Sequence, residues 1–192
     1  MKINLKDTTF IIPIRIESED RLRNVITVCC FLLETFDTKI ILKEIDNTSV
    51  FQERALPQIK EFVGDAIDNI THIFEKSDPD DHVFYRMRYL NEMLDLCDTD
   101  IVANYDCDVL VPVSTYLQAQ DMIQNKGYDV VYPYELGNWV KMCYVNDQSV
   151  SDFLVNDGDF SIFDKNCQVY IAHSGHAQFF KRSSYIEGGM EN

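Results

Sequence analysis

Apolar and polar positions along this chain alternate between two periods. Thr9 to Ile16 is a nearly unbroken apolar run with Pro13 near its end, which predicts a buried strand entering a loop. Ser18 can cap a helix whose first turn carries Glu19 and Asp20, and Leu22, Val25, Ile26, Cys29, Cys30 and Leu33 follow at helical spacing. Lys39 to Ile45 predicts a second strand that closes on Asp46-Asn47-Thr48. A strand, a helix and a strand in close succession form a βαβ unit, which favours a parallel sheet and an α/β fold.

The middle of the chain repeats this alternation. Pro57 opens a helix that Gly64 and Asp65 close, and Ile70 to Glu75 alternates like a strand. Asp78-Pro79-Asp80-Asp81 predicts a turn. Val83, Met87, Leu90, Leu94 and Cys97 mark one face of a helix, and Ile101 to Tyr105 is a strand that runs into Asp106-Cys107-Asp108. A helix is expected from Pro112 to Lys126, stopped by Gly127, and then a strand from Asp129 to Tyr134. Val150 to Val155 predicts a helix, Val169 to Ala172 a strand and Lys181 to Glu187 a short helix.

With 192 residues and 46% hydrophobic content the chain fits one globular domain, without repeats or low-complexity stretches. A net charge of -15 argues against a nucleic-acid partner, which needs basic surface, and solubility alone accounts for much of it. A small phosphorylated ligand stays compatible, because one metal ion reverses the local field. The six cysteines form no Cys-x-x-Cys pair and mostly sit in apolar runs, so free thiols and a reducing, cytoplasmic compartment are expected. The longest apolar stretch, Val25 to Leu33, is too short for a transmembrane segment, and Met1 to Asp7 has no signal-peptide core.

In a parallel α/β sheet, ligands bind beyond the carboxyl ends of the strands. Two strand ends carry suitable chemistry. Pro13-Ile14-Arg15 places a guanidinium beyond the first strand. Asp106-Cys107-Asp108 carries two carboxylates at alternate positions, which can face one cation; Mg²⁺ and Mn²⁺ commonly use one or two carboxylates plus substrate phosphates. Asp-x-Asp also occurs at Asp78/Asp80, Asp98/Asp100 and Asp157/Asp159, but only Asp106/Asp108 ends an apolar strand with another apolar run directly behind it. Arg86 and Arg88 precede that strand, and the planar arginine fork suits a diphosphate; Arg88 is better explained by surface ion pairs.

Three motifs in order, Ile11-Ile12-Pro13-Ile14-Arg15, Phe84-x-Arg86-x-x-x-Leu90-Asn91 and Asn104-Tyr105-Asp106-Cys107-Asp108-Val109, resemble the GT-A-fold glycosyltransferases. The likeness is to β-1,4-galactosyltransferase, chondroitin-polymerase and polypeptide N-acetylgalactosaminyltransferase catalytic domains, over roughly residues 8 to 192. It implies a Rossmann-like three-layer sandwich with a central, mostly parallel sheet. It further implies that Pro13 and Arg15 contact a nucleotide, that Phe84 and Arg86 hold base and diphosphate, and that Asp108 ligates Mn²⁺ or Mg²⁺ with Asp106 beside it. Glu44 and Asp46 are looser candidates for uridine or ribose contacts. Gly175 and His176 would line the donor-sugar pocket, with His173 nearby.

The resemblance implies a metal-dependent, inverting transfer from a UDP-sugar to a saccharide or glycoconjugate hydroxyl. The family's Trp-Gly-x-Glu-Asp segment, which supplies acceptor binding and the catalytic base, has no counterpart; the only tryptophan is Trp139. The expectation is therefore one nucleotide-sugar-binding domain over 1–192, cut short at its C-terminus, with Glu191 as a substitute base. Two rivals are a nucleotidyltransferase, disfavoured because the loop Arg15-Ile16-Glu17-Ser18-Glu19-Asp20 has no glycine, and a non-catalytic metal- or carbohydrate-binding module.

Overall fold

The computed structural model describes residues 2–77, 83–134, 139–171 and 177–190. The first half builds β1 (Ile3–Ile14), α1 (Glu19–Thr35), β2 (Phe36–Asp46), α2 (Leu56–Val63), β3 (Ile70–Lys76), α3 (Arg86–Leu94) and β4 (Ile101–Tyr105). The second half adds α4 (Val113–Lys126), β5 (Val130–Val131), β6 (Trp139–Cys143), α5 (Asp147–Val155), β7 (Cys167–Ile171), β8 (Ala177–Lys181) and α6 (Arg182–Glu187). Six strands form a sheet of order β3-β2-β1-β4-β8-β5, and β6 pairs with β7 in a separate two-stranded sheet. The four strands β3, β2, β1 and β4 are mutually parallel, whereas β8 runs antiparallel to both β4 and β5.

Period-two alternation in the central strands feeds two cores. Phe10, Ile12 and Ile14 join Ile40, Leu42, Ala103 and Tyr105 under α1, α2, α4 and α5. Ile11, Ile41 and Val102 face the other way, against Leu90, Met93 and Leu94 of α3 and Tyr185 of α6. Both faces are covered, which is why these strands read as continuous apolar runs. The result is the expected three-layer sandwich around a mostly parallel sheet.

Helix α1 starts where the Ser18 hydroxyl accepts the Arg21 N–H at 3.2 Å. Of the expected stripe, Leu22, Val25, Cys29, Cys30 and Leu33 are buried and Ile26 is partly buried, and Val28, Phe31 and Leu32 are buried as well. Its outer side is covered too: Phe31 packs on Phe153 of α5 at 5.4 Å and on Phe160 at 6.2 Å. Gly158, at φ 75°, lets the chain pass this ring, since a Cβ there would lie 2.5 Å from Phe31. Ahead of Pro57, which cannot donate to the preceding turn, residues Phe51–Ala55 widen into a π-helix.

Several expectations need correcting. Of the face expected for α3, Val83 lies ahead of the helix and is 52% exposed, Met87 on it is 49% exposed, and the buried face is Tyr89, Leu90, Met93 and Leu94. The strand expected over Asp129 to Tyr134 shrinks to Val130–Val131, because Pro133 cannot donate to a ladder. Strand β6 was not anticipated. Its Cys143 is paired with Cys167 of β7 and bonded to it in a disulfide, so four cysteines are free rather than six: Cys29, Cys30, Cys97 and Cys107. The turn predicted at Asp78 to Asp81 lies outside the described residues. No helix among the described residues is long and apolar enough to cross a membrane.

Candidate functional site

The carboxyl ends of the four parallel strands gather on one edge of the sheet. At the end of β1, Arg15 donates from Nε to the Ile45 carbonyl at 3.2 Å, which ties its side chain to the end of β2. Its guanidinium lies 5.9 Å from the centroid of Phe84, and Phe84 in turn meets Tyr89 edge-on at 5.1 Å. The Nη2 atom of Arg15 is buried without a hydrogen-bond partner among the described residues. Arg15 is also one of the residues bordering a cleft of about 110 Å³, with Ser77, Tyr85, Arg88 and Tyr89. An orphaned donor beside a cleft is a place for an acceptor oxygen to bind.

Two acids close β2, and both are occupied with holding the loops that follow β1 and β2. Asp46 accepts from the backbone of Ile16 at 3.3 Å and of Asn47 at 2.8 Å. Glu44 is fully buried; it accepts from the Ser49 hydroxyl at 2.6 Å and the Phe51 N–H at 2.8 Å, with His72 Nε2 at 3.1 Å. Burial pushes its carboxyl up, but the bonds from His72, Ser49 and Phe51 outweigh that and hold it below the usual range.

Strand β4 delivers the remaining group. Arg86, the first residue of α3, reaches Asn104 Oδ1 at 2.9 Å and Asp106 Oδ1 at 2.8 Å through the same Nη2 atom. The strand ends at Tyr105, and the Val109 N–H closes a turn on the Asp106 carbonyl at 3.4 Å. Asp106 and Asp108 therefore straddle the start of a turn, rather than lying along an extended segment. Cys107 between them is buried, and burial pushes its thiol up to about 12. Asp108 is exposed and has no ion pair or hydrogen bond among the described residues.

A second charged group braces α3 against the sheet. Lys43, buried on β2, pairs with Glu75 at 2.7 Å and with Glu92, and lies 5.3 Å from the centroid of Tyr89. Burial pulls its ammonium down, but these two carboxylates more than offset that and raise it. Arg88 completes the cluster through Glu75 and Glu92, in line with its expected ion pairs.

The carboxyl ends of β1 and β4 thus carry Pro13 and Arg15, and Asp106 and Asp108; Phe84 meets Arg15 and Arg86 meets Asp106, while Glu44 and Asp46 at the end of β2 are taken up in structural contacts. Gly175, His176, His173 and Glu191 lie outside the described residues. Lys43 was not singled out by sequence reasoning, and Asn104 appeared only within a motif, with no role, although an Asn and a Lys inside apolar strands were the available signal. Among the described residues no three His, Cys, Asp or Glu side chains converge on a metal-sized point. Two carboxylates, one of them paired with Arg86, suit a Mg²⁺ or Mn²⁺ that shares its coordination with phosphates and water, not a closed protein cage.

No protein-family model matches this chain, and no curated protein does either. Solved structures do. A mannosyltransferase of Pyrobaculum calidifontis, in complex with GDP-Man and Mn²⁺, superposes with a TM-score of 0.56 at 14% identity, over 96% of this chain and 47% of that one. TarS 1-349 of S. aureus gives 0.51 at 9% identity, over 98% of this chain and 49% of that one. The chain thus spans about half the length of these structures. The shared architecture is the GT-A-type glycosyltransferase fold. Neither structure bears the name of the galactosyltransferase, chondroitin-polymerase or N-acetylgalactosaminyltransferase families that the motifs resemble.

Proposed function

We propose that this chain is the nucleotide-sugar-binding unit of a metal-dependent glycosyltransferase. The observation that carries this reading is the end of β4, where Arg86 grips Asp106 and Asn104 while Asp108 stays exposed beside them. Such an end, in a GT-A-type sheet, suits a diphosphate and its cation. The GDP-Man and Mn²⁺ bound by the P. calidifontis mannosyltransferase support a nucleotide-sugar and a metal here as well. The motif resemblance favours UDP.

In this reading Asp106 and Asp108 would hold a divalent cation, Mn²⁺ or Mg²⁺. When bound, the cation supplies charge neutralisation for the departing diphosphate. Arg15 offers its orphaned Nη2 to a phosphate or ribose oxygen, and Phe84, with Pro13 nearby, walls the nucleotide. Arg86 keeps Asp106 oriented and adds positive charge at the leaving group. Glu44 and Asp46 shape the loop behind the nucleotide, whereas the motif resemblance would put Gly175 and His176 beside the sugar. The acceptor hydroxyl gives its proton to a carboxylate, for which Glu191 is the candidate. Its oxygen bonds to the anomeric carbon with inversion, and the anomeric C–O pair leaves with the nucleoside diphosphate.

A calorimetric panel of UDP-, GDP- and CDP-sugars, each with and without Mn²⁺, tests the reading. Metal-dependent binding of one nucleotide class is the expected result. Absence of binding across the panel would leave the fold without this function and favour a carbohydrate-binding module.

A further inference from the structure

Tyr116, on the first turn of α4, is fully buried close to the end of β4. Its ring packs against Phe36 at 5.0 Å, Phe10 at 6.1 Å, Phe31 at 6.2 Å and Phe179 at 6.2 Å. Among four phenylalanines a fifth would fill the space without the cost of burying a hydroxyl. The hydroxyl has two partners. It shares a hydrogen bond of 2.6 Å with the Tyr105 hydroxyl, and it accepts the backbone N–H of Val111 at 3.3 Å.

Val111 belongs to the segment between β4 and α4 that carries Asp106 and Asp108. That segment is also held by Arg86 at Asp106, by Val109 N–H on the Asp106 carbonyl and by Thr115 N–H on the Pro112 carbonyl at 2.8 Å. Asp108 lies between these fixed points. A rigid frame around an exposed carboxylate lowers the cost of ordering it when a ligand arrives.

We propose that Tyr116 is a positioning residue: through Val111 it fixes the 106–112 segment, and so Asp108, for metal-dependent nucleotide binding. This rests on the reading of Asp108 given above. Tyr105 supplies a matched control, because Tyr105→Phe breaks the same hydroxyl pair and leaves the bond to Val111 intact.

The test uses the full chain with UDP and MnCl₂ as probes, and compares Tyr116→Phe, Tyr105→Phe and the double variant by calorimetry and amide exchange. Tyr116→Phe and the double variant are expected to lose about ten-fold in Mn²⁺-dependent UDP affinity, the usual scale for groups that orient a metal ligand. They should also exchange the Val111 amide faster. Tyr105→Phe should stay within about two-fold of the parent affinity, with Val111 unchanged. The double variant leaves no unpaired hydroxyl, so it keeps the test open if Tyr116→Phe alone folds poorly. Equal losses in the two single variants, or an unchanged Val111 exchange rate in Tyr116→Phe, would overturn the proposal. Should the parent chain bind no UDP at all, the reading of Asp108 fails, and with it the claim that Tyr116 serves binding.

Discussion

Arg86 Nη2 lies 2.8 Å from Asp106 Oδ1, so the first residue of α3 is joined to the end of β4 across the mouth of the sheet. The same nitrogen also reaches Asn104, one strand position inside. One guanidinium therefore fixes both a buried amide and a half-exposed carboxylate, and Lys43 with Glu75 and Glu92 fixes the helix that carries it.

Arg86→Lys keeps the charge but loses the rest of the planar guanidinium fork, which suits a diphosphate. Nucleotide affinity is expected to fall by about ten-fold, with the melting temperature little changed. Arg88→Lys is the control, because Arg88 is engaged with Glu75 and Glu92 instead. Equal losses from the two substitutions, measured by calorimetry, would show a diffuse electrostatic effect.

Glu44 gives the protein a dependence on acid. Its folded carboxyl is held below the ordinary 4.5, so the stability it contributes is fully present above that value and is lost as pH falls through the folded value. Glu44→Gln keeps the shape but not the charge, and should cost about 1–3 kcal/mol at neutral pH. Melts of parent and variant between neutral and acid pH should converge as pH drops below the ordinary carboxylate range. A gap that stays constant with pH would contradict the assignment.

The Cys143–Cys167 bridge closes a 24-residue separation that contains α5, whose Phe153 packs on Phe31 in the main core. Loop-closure entropy assigns such a crosslink about 3 kcal/mol. Melting with and without reductant should reveal a lower midpoint in the reduced protein, and Cys143→Ser should match the reduced parent. A variant indifferent to reductant but as stable as the oxidised parent would argue against the bridge.

Local chemistry made much of this legible in advance. Ile101 to Tyr105 was bounded correctly because an apolar run meets charge at both ends, and Ser18 and Gly127 marked helix boundaries through capping. What stayed hidden was non-local. The Cys143–Cys167 bond depends on the register of β6 with β7, and the partners lie at a sequence separation of 24. Lys43 meets Glu75 and Glu92 only once β2, β3 and α3 are packed together. The buried face of α3 follows from which side of the helix β1 and β2 present to it, and spacing alone misplaced Val83 and Met87.

The most direct test of the central claim is the metal dependence of nucleotide binding in Asp108→Ala. Asp108 is exposed and has no ion pair or hydrogen bond among the described residues, so its loss should leave the stability within about 0.5 kcal/mol of the parent's. Calorimetry of UDP with and without Mn²⁺ should then find that the parent binds more tightly with the metal and the variant does not. Metal-dependent affinity that survives Asp108→Ala unchanged would contradict the account.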